Sequence, residues 1–486
     1  MKYETIKGEV FNYYVCQEPT KHIIFTDEVA PKGVELDDLS NDKDGSVVGW
    51  MEDDGVYKVS TQKKEQKVIF NEDCSYMFNG NPVDFETDIK SIHFNNVDTS
   101  HVINMTRMFA LIENLEVLDL SDFDTSKVED MTWMFDRCRN LKELNLSNFD
   151  TSNVKAMHGM FYECVVLTNL DLRTFDTSKV EDMDCLFCGC EHLKELDLSH
   201  FDTSNVTEMG SMFDSCKNLQ EVDLNSFNTS KVEDMSWMFM GCENLRRLDL
   251  SGFDTKHVTN MARMFALCGN LRELDLSNFD TSKVKDMQKM FLRCGNLEEL
   301  DLSRFNTSNV TDTHRMFDGC KNLQELELNN FDTSKVEDMS GMFDGCKNLE
   351  KLDLSNFDTS KVERMSRMFS ECEKLKELDL NNFDASNVKY ELDDPFPDFD
   401  DPVPTTKNLD ILKMFYNTYK LTREGLKTLD ECILSEFKEE KNRKSEKSQT
   451  YENVNPKNLK LKDSKAKEGK ENSFHSLDDS DNDIPF

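Results

Sequence analysis

Positive charge is scarce in this chain of 486 residues. It has 58 lysines and arginines against 95 aspartates and glutamates, a formal net charge of −37. A surface of that sign repels nucleic-acid phosphates and anionic membranes and favours basic partners, so direct nucleic-acid binding is not expected. Long hydrophobic runs are missing as well, none approaching the ~20 apolar residues of a membrane span. The opening stretch MKYETIKGEVFNYYVCQEPTKHIIF has no basic segment leading into an unbroken apolar core, so no leader peptide is expected. The 15 cysteines are odd in number, which suits a reducing compartment better than a disulfide framework, and the expected location is the cytoplasm. No glycine-rich phosphate loop, nucleophile elbow or HExxH occurs, and His158, His257 and His314 read as scattered over unrelated positions. No catalytic residue, cofactor or metal is therefore expected, and the chain does not read as an enzyme.

What the chain has in abundance is repetition. The aromatic of an FDTS-like turn recurs from Phe123 through Phe149, Phe175 and Phe201 to Phe383 in steps of 26, with Val97 in the same place one step earlier. Eleven units run from about 97 to 382 and a partial twelfth ends near Val388. Such strict spacing predicts a solenoid whose units bury their apolar faces only against their neighbours. In LKELNLS, Leu144 and Leu146 alternate with polar residues, the period of a half-buried strand. Val128, Met131, Met134, Phe135 and Cys138 then follow at spacings that predict one face of a short helix. Ser126 and Glu129 fit a capping box at its start, and Asn140 suits its exit. The expected fold class is α/β, a solenoid with one parallel β-sheet and a short helix in each unit.

Flanking segments differ in composition. Residues 1–22 read as an N-terminal extension, 23–96 as a cap of short strands with a degenerate first unit, and 97–388 as the solenoid. Residues 389–406 read as an acidic, proline-rich linker, and 407–440 as a helical hairpin on Leu409, Leu412, Phe415 and Leu426, Leu429, Ile433. The remainder, 441–486, is too polar to fold and is expected to be disordered.

The unit LxxLxLxxFDTSxVxxMxxMFxxC, as in residues 349–372, resembles the BspA-type leucine-rich repeats of bacterial surface proteins and mycoplasma lipoproteins. The stretch 46–78 is similar to the segment preceding such arrays. The resemblance implies a leucine-rich-repeat solenoid that binds other proteins, and a cell-surface adhesin or host-interaction role as the alternative to a cytoplasmic scaffold.

Two groups of candidate binding residues stand out. At the outward strand position lie Asp119, Asp171, Asp197, Asp223, Asp249, Asp275, Asp301, Asp353 and Asp379, with Asn145 and Glu327 as exceptions. Either local hydrogen bonds from the following Ser or Asn account for them, or Asp197, Asp223, Asp249, Asp275 and Asp301 form an acidic face for a basic protein partner. Asp124 and its equivalents in the FDTS turns read as structural. Ten cysteines at intervals of 26, Cys138 to Cys372, read as small core residues. Cys185 and Cys188 in CLFCGC depart from the repeat, but no further ligand lies at a recognisable spacing, and no zinc site is expected.

The second group is DDSDNDIPF, residues 478–486, which resembles the C-terminal tip of bacterial single-stranded DNA-binding proteins. The resemblance implies docking on DNA replication, recombination and repair enzymes. Phe486 and its carboxylate would enter an apolar pocket with a basic residue, Ile484 and Pro485 would add apolar contact, and Asp479, Asp481 and Asp483 would steer the approach.

Overall fold

Three apolar side chains of each Leu-x-x-Leu-x-Leu segment and four of the Val, Met, Met-Phe segment must leave water together, and only a neighbouring unit can cover them. The computed structural model describes residues 2–16, 19–80 and 88–378, with 380, 383, 384, 387 and 388 beyond them. The linker, the hairpin and the tip lie outside the described residues.

The described chain begins with helix α1, Gly8–Val15, which buries Phe11 and Val15. Gly8 is required there, since a Cβ would sit 2.3 Å from the Ser75 carbonyl oxygen. Strands β1 (His22–Phe25), β2 (Asp37–Asp38), β3 (Val48–Met51) and β4 (Val56–Ser60) follow. After β5 (Val68–Ile69) comes β6 (Ser91–Phe94), which completes a five-stranded sheet in the order β2-β3-β4-β1-β6. Phe11, Phe25, Phe70, Phe78 and Phe94 cluster beneath it, with centroids of neighbouring rings 5.2–6.5 Å apart. Phe78 stacks on Phe109 at 5.4 Å, so this aromatic cluster closes the open end of the array.

From β7 (Val97–Asp98), which pairs in parallel with β5, the 26-residue unit takes over. The anticipated interior is present: Val128, Met131, Met134, Phe135 and Cys138 are fully buried, as are their equivalents along the stack. Phe109, Phe135, Phe161 and their successors to Phe369 form one column with centroids 5.5–5.9 Å apart and nearly parallel rings. The chain is a repeat solenoid.

Two expectations about the unit need correction. The continuous parallel sheet is divided into short pairs: β8 (Val117–Asp119) with β9 (Glu143–Asn145), β10 (Glu195–Leu196) with β11 (Glu221–Val222), and β12 (Lys351–Leu352) with β13 (Glu377–Leu378). The unbroken ladder lies elsewhere, where single parallel bridges link Asp73, Asn104, Asp130, Ala156 and so on to Arg364.

The short helix is absent from the described units. In its place runs a ribbon in which alternate N–H groups of Met131, Trp133, Phe135 and Arg137 donate to the carbonyls of Ala156, His158, Met160 and Tyr162 in the next unit. The intervening residues close tight turns, Met134 to Met131 and Cys138 to Phe135. Trp133 and Arg137 take positive φ of 56°, as a reversing turn requires. The physical reason is donor supply. A two-turn helix leaves its first four N–H groups unbonded, about half of its donors, whereas the ribbon sends those donors into the next unit. Ser126 accordingly caps no helix: its N–H and hydroxyl bond Asp124 Oδ1 at 3.1 and 2.6 Å. Among the described residues no helix is long and apolar enough to cross a membrane.

Candidate interaction face and a mixed-ligand cluster

Period-2 alternation on the strand segment turns Leu146 inward and leaves Glu143 and Asn145 in solvent. In the same way Asp197, Asp223, Asp249, Asp275 and Asp301 are all exposed on one face, each a unit from the next. Every one of them also has a local task. Its Oδ1 accepts the N–H two residues on: Ser199 at 3.1 Å, Asn225 at 3.0 Å, and Ser251, Ser277 and Ser303 at 2.9 Å. Hydrogen bonds from the following serine hold Asp197, Asp249, Asp275 and Asp301 below the usual carboxylate range. Asn145 makes the same turn with Ser147 at 3.2 Å, so the turn needs an oxygen and not a charge. The two readings of these residues are therefore compatible: the oxygen shapes the turn and the charge is left to the solvent.

A groove of about 810 Å³ lies on this face, lined by Asp171, Glu195, Asp197, Glu221, Asp223 and Asp249 among others. Its floor includes Leu170 and Val222, which are only half-buried. Arg173 and Arg247 enter its rim, and Arg173 pairs with Asp171 through two hydrogen bonds, one of 2.8 Å. Next to it a second hollow of about 410 Å³ is lined by Val117, Glu143, Leu144 and Asn145, and Val117 is 52% exposed. The predicted acidic residues are thus brought together, Asp197, Asp223 and Asp249 around the groove and Asp275 and Asp301 further along the face. Asp479, Asp481, Asp483, Ile484, Pro485 and Phe486 lie outside the described residues.

The ribbon carries side chains that sequence spacing did not single out. Here outward residues change from unit to unit. Trp237 lies under the Arg263 guanidinium at 4.1 Å, and Arg107 sits 5.3 Å from the Trp133 ring centre. Asp136 is buried beside Arg107 at 3.4 Å; burial pushes its carboxyl up to about 6 despite the neighbouring arginines. His158 and His314, which look scattered along the chain, occupy the same place of the unit six repeats apart. Reading the sequence in columns of 26 would have found them.

At His158 that column brings unlike groups together. Its Nδ1 is 3.4 Å from Asp182 Oδ1 and 3.6 Å from Asp184 Oδ2, and Cys185 Sγ is 3.5 Å from the same Asp184 oxygen. One ligating atom each from His158, Asp184 and Cys185 lies within 4.8 Å of the others. Burial acts against the imidazolium, but the hydrogen bond and charge of Asp182 outweigh it and hold His158 above its ordinary value. Burial pushes Asp184 up to about 6. The neighbour that CLFCGC lacks in sequence is supplied by the preceding unit.

No curated protein matches the chain. Among solved structures it is similar to TLR13 in its complex with ssRNA13, at 18% identity and a TM-score of 0.23, covering 64% of this chain and 42% of that one. The chain thus spans less than half the length of that relative. It is also similar to a leucine-rich repeat protein from Eubacterium ventriosum, at 13% identity and a TM-score of 0.28, covering 54% of this chain and 96% of that one. The family described as "Mycoplasma protein of unknown function, DUF285" matches four overlapping stretches, 72–169, 165–266, 235–328 and 315–394. These stretches take in more than half of the sequence, and the chain belongs to that family.

Proposed function

We propose that this protein is a non-enzymatic interaction scaffold whose strand face receives a basic segment of another protein. The observation that carries this reading is the coincidence of exposed carboxylates with a concavity: Asp197, Asp223 and Asp249 rim the 810 Å³ groove, and Glu195 and Glu221 thicken its charge. Half-buried Leu170 and Val222 give a ligand apolar contact on the floor, while the surrounding charge raises its encounter rate and sets its sign.

The experiment is a neutralisation that leaves the turns intact. Asn145 performs the turn without charge, so Asp197→Asn, Asp223→Asn and Asp249→Asn together remove three charges and keep the acceptors. A fluorescent Lys/Arg-rich peptide is titrated against both proteins by anisotropy. Binding is expected to weaken with salt and to be lost in the triple variant. It should persist in a control with Glu129→Gln, Glu181→Gln and Glu233→Gln, which changes net charge equally on another exposed column. Equal binding by both variants would remove the strand face from the account.

A second docking element in this reading is the acidic, apolar stretch 478–486, supported by its resemblance to the single-stranded DNA-binding protein tip. A peptide of that sequence, titrated onto a bacterial exonuclease or helicase of that docking class, tests it; binding indifferent to loss of Phe486 would end it. The cytoplasmic and cell-surface readings are separated by protease treatment of intact cells, which degrades this protein only in the second case.

A further inference from the structure

We propose that His158, Asp184 and Cys185 form a binding site for a divalent cation of zinc's chemistry, on the ribbon side of the solenoid and away from the strand face. The stack creates the site. His158 and Asp184 hold the same place in successive units, so the in-register ribbon sets one beside the other, and Cys185 follows Asp184 directly.

The distances suit a coordination shell, and the Cys185 thiol already turns to Asp184 as a hydrogen-bond donor. His158 Nδ1 and Asp184 Oδ2 are 3.6 Å apart, beyond a good N–H···O bond, and Cys185 Sγ is 3.5 Å from that oxygen. A tetrahedral zinc ion with bonds of about 2.0–2.3 Å has ligand-to-ligand edges of roughly 3.3–3.8 Å. Two edges are already in that range, and the third lies within 4.8 Å.

Charge points the same way. Asp182, Asp184, Glu208 and Asp234 crowd this side of the ribbon; Glu208 is held above its ordinary value first by burial and then by the charges of Asp234, Asp182 and Asp184. A divalent ion balances one carboxylate and one thiolate, with the Cys185 proton passing to solvent on binding. Imidazole, thiolate and carboxylate together favour zinc over magnesium or calcium, which prefer oxygen-only sets.

The surroundings hold the ligands in place. The Trp133 ring packs edge-on to His158 at 4.7 Å. It can do so because residue 159 is glycine: a Cβ there would lie 2.4 Å from the indole. The Cys188 N–H donates to the Cys185 carbonyl at 3.1 Å and fixes the turn that carries the thiol. The fourth position is left to water. Six units on, His314 Nδ1 meets the Ser340 hydroxyl at 2.9 Å where Asp184 stands beside His158, and Gly341 takes the place of Cys185, so the equivalent site lacks both of those ligands and serves as an internal control.

The test uses the full, tag-free chain, stripped of metal under reductant and titrated with Co²⁺. One equivalent should produce a thiolate-to-cobalt band in the near-ultraviolet with tetrahedral bands in the visible, all bleached by Zn²⁺. Cys185→Ser is expected to abolish the near-ultraviolet band, and His158→Ala to shift the titration at least about tenfold to higher cobalt. His314→Ala should behave as the parent. Circular dichroism confirms that each variant is folded; His158, Cys185 and His314 are all partly exposed. Absence of the near-ultraviolet band in the parent, or its survival in Cys185→Ser, overturns the proposal.

Discussion

The Thr229 hydroxyl donates to the Asp254 carbonyl at 3.1 Å and accepts the Asp254 N–H at 2.8 Å, although no solvent reaches it. Its equivalents from Thr125 to Thr359 repeat the pair, each tying one unit to the next. Thr229→Val leaves two buried backbone groups without partners and is expected to cost about 2–4 kcal/mol in urea unfolding. Thr229→Ser, which keeps the hydroxyl, should cost under about 1 kcal/mol. The sequence showed the threonine of FDTS at every repeat but not its partner, which lies 25 residues on and is contacted only in the stack. The cysteine column was more legible. Cys138 to Cys372 are buried as core residues, though each thiol also donates to a phenylalanine carbonyl, as Cys164 does to Phe135 at 3.2 Å. Burial pushes the Cys138, Cys190 and Cys294 thiols up to about 12, so they stay protonated. Of the described cysteines only Cys185 is partly exposed, and brief treatment of the native protein with a thiol reagent should label it ahead of the column, as mapped by peptide mass.

At the scale of the element, the ribbon explains why the helix expectation failed. Val128, Met131, Met134, Phe135 and Cys138 are spaced as a helix would space them, and they are buried as predicted; apolar spacing alone does not distinguish a helix from a ribbon that turns every four residues. The distinguishing signal was glycine. Gly159 and Gly341 fall in one column and Gly189, Gly241, Gly319 and Gly345 in another four residues later, all at positive φ. A helix interior disfavours glycine, so its recurrence at a four-residue offset argues for paired turns. Gly241→Ala places a Cβ 3.2 Å from the Ser215 Cα at φ +70°, and should lower stability by about 1–2 kcal/mol. Gly269→Ala, where a Cβ meets nothing within 4 Å, should change it by less than about 0.5 kcal/mol. The strand segments were legible as one-sided apolar stretches because their alternation has a single reading, whereas their pairing into short separate ladders depends on inter-unit geometry that a period cannot convey.

For the solenoid as a whole, titration follows from its buried acids. Asp136, Asp214 and Asp318 are pushed up to about 6, chiefly by burial, from an ordinary 3.8. A carboxyl raised in the folded state favours folding where it is protonated, fully below its ordinary value, and loses that contribution as pH rises through about 6. The turn aspartates act oppositely, losing their contribution only as pH falls below the ordinary value. Thermal stability should therefore rise as pH is lowered from 7 to 5 and fall again below about 4, a profile that calorimetry checks; a net charge of −37 relieved by protonation acts in the same direction. Repetition made this level of the molecule the easiest to foresee, since a stack needs only a fixed period and a continuous oily side. The grouping of His158 with Asp184 and Cys185 was hidden for the same reason, because it joins residues of different units.

Register is the claim on which the acidic face, the threonine ties and the mixed cluster all rest, and a cysteine pair measures it directly. Glu195 and Glu221 are in-register partners on β10 and β11, about one strand spacing, ~4.8 Å, apart. Glu195→Cys with Glu221→Cys should form a disulfide on mild oxidation, seen as a linked peptide by mass spectrometry, because that separation is within disulfide reach. Glu195→Cys with Arg247→Cys, two spacings apart, should not. Linkage of the second pair as readily as the first, or of neither, would contradict the stack.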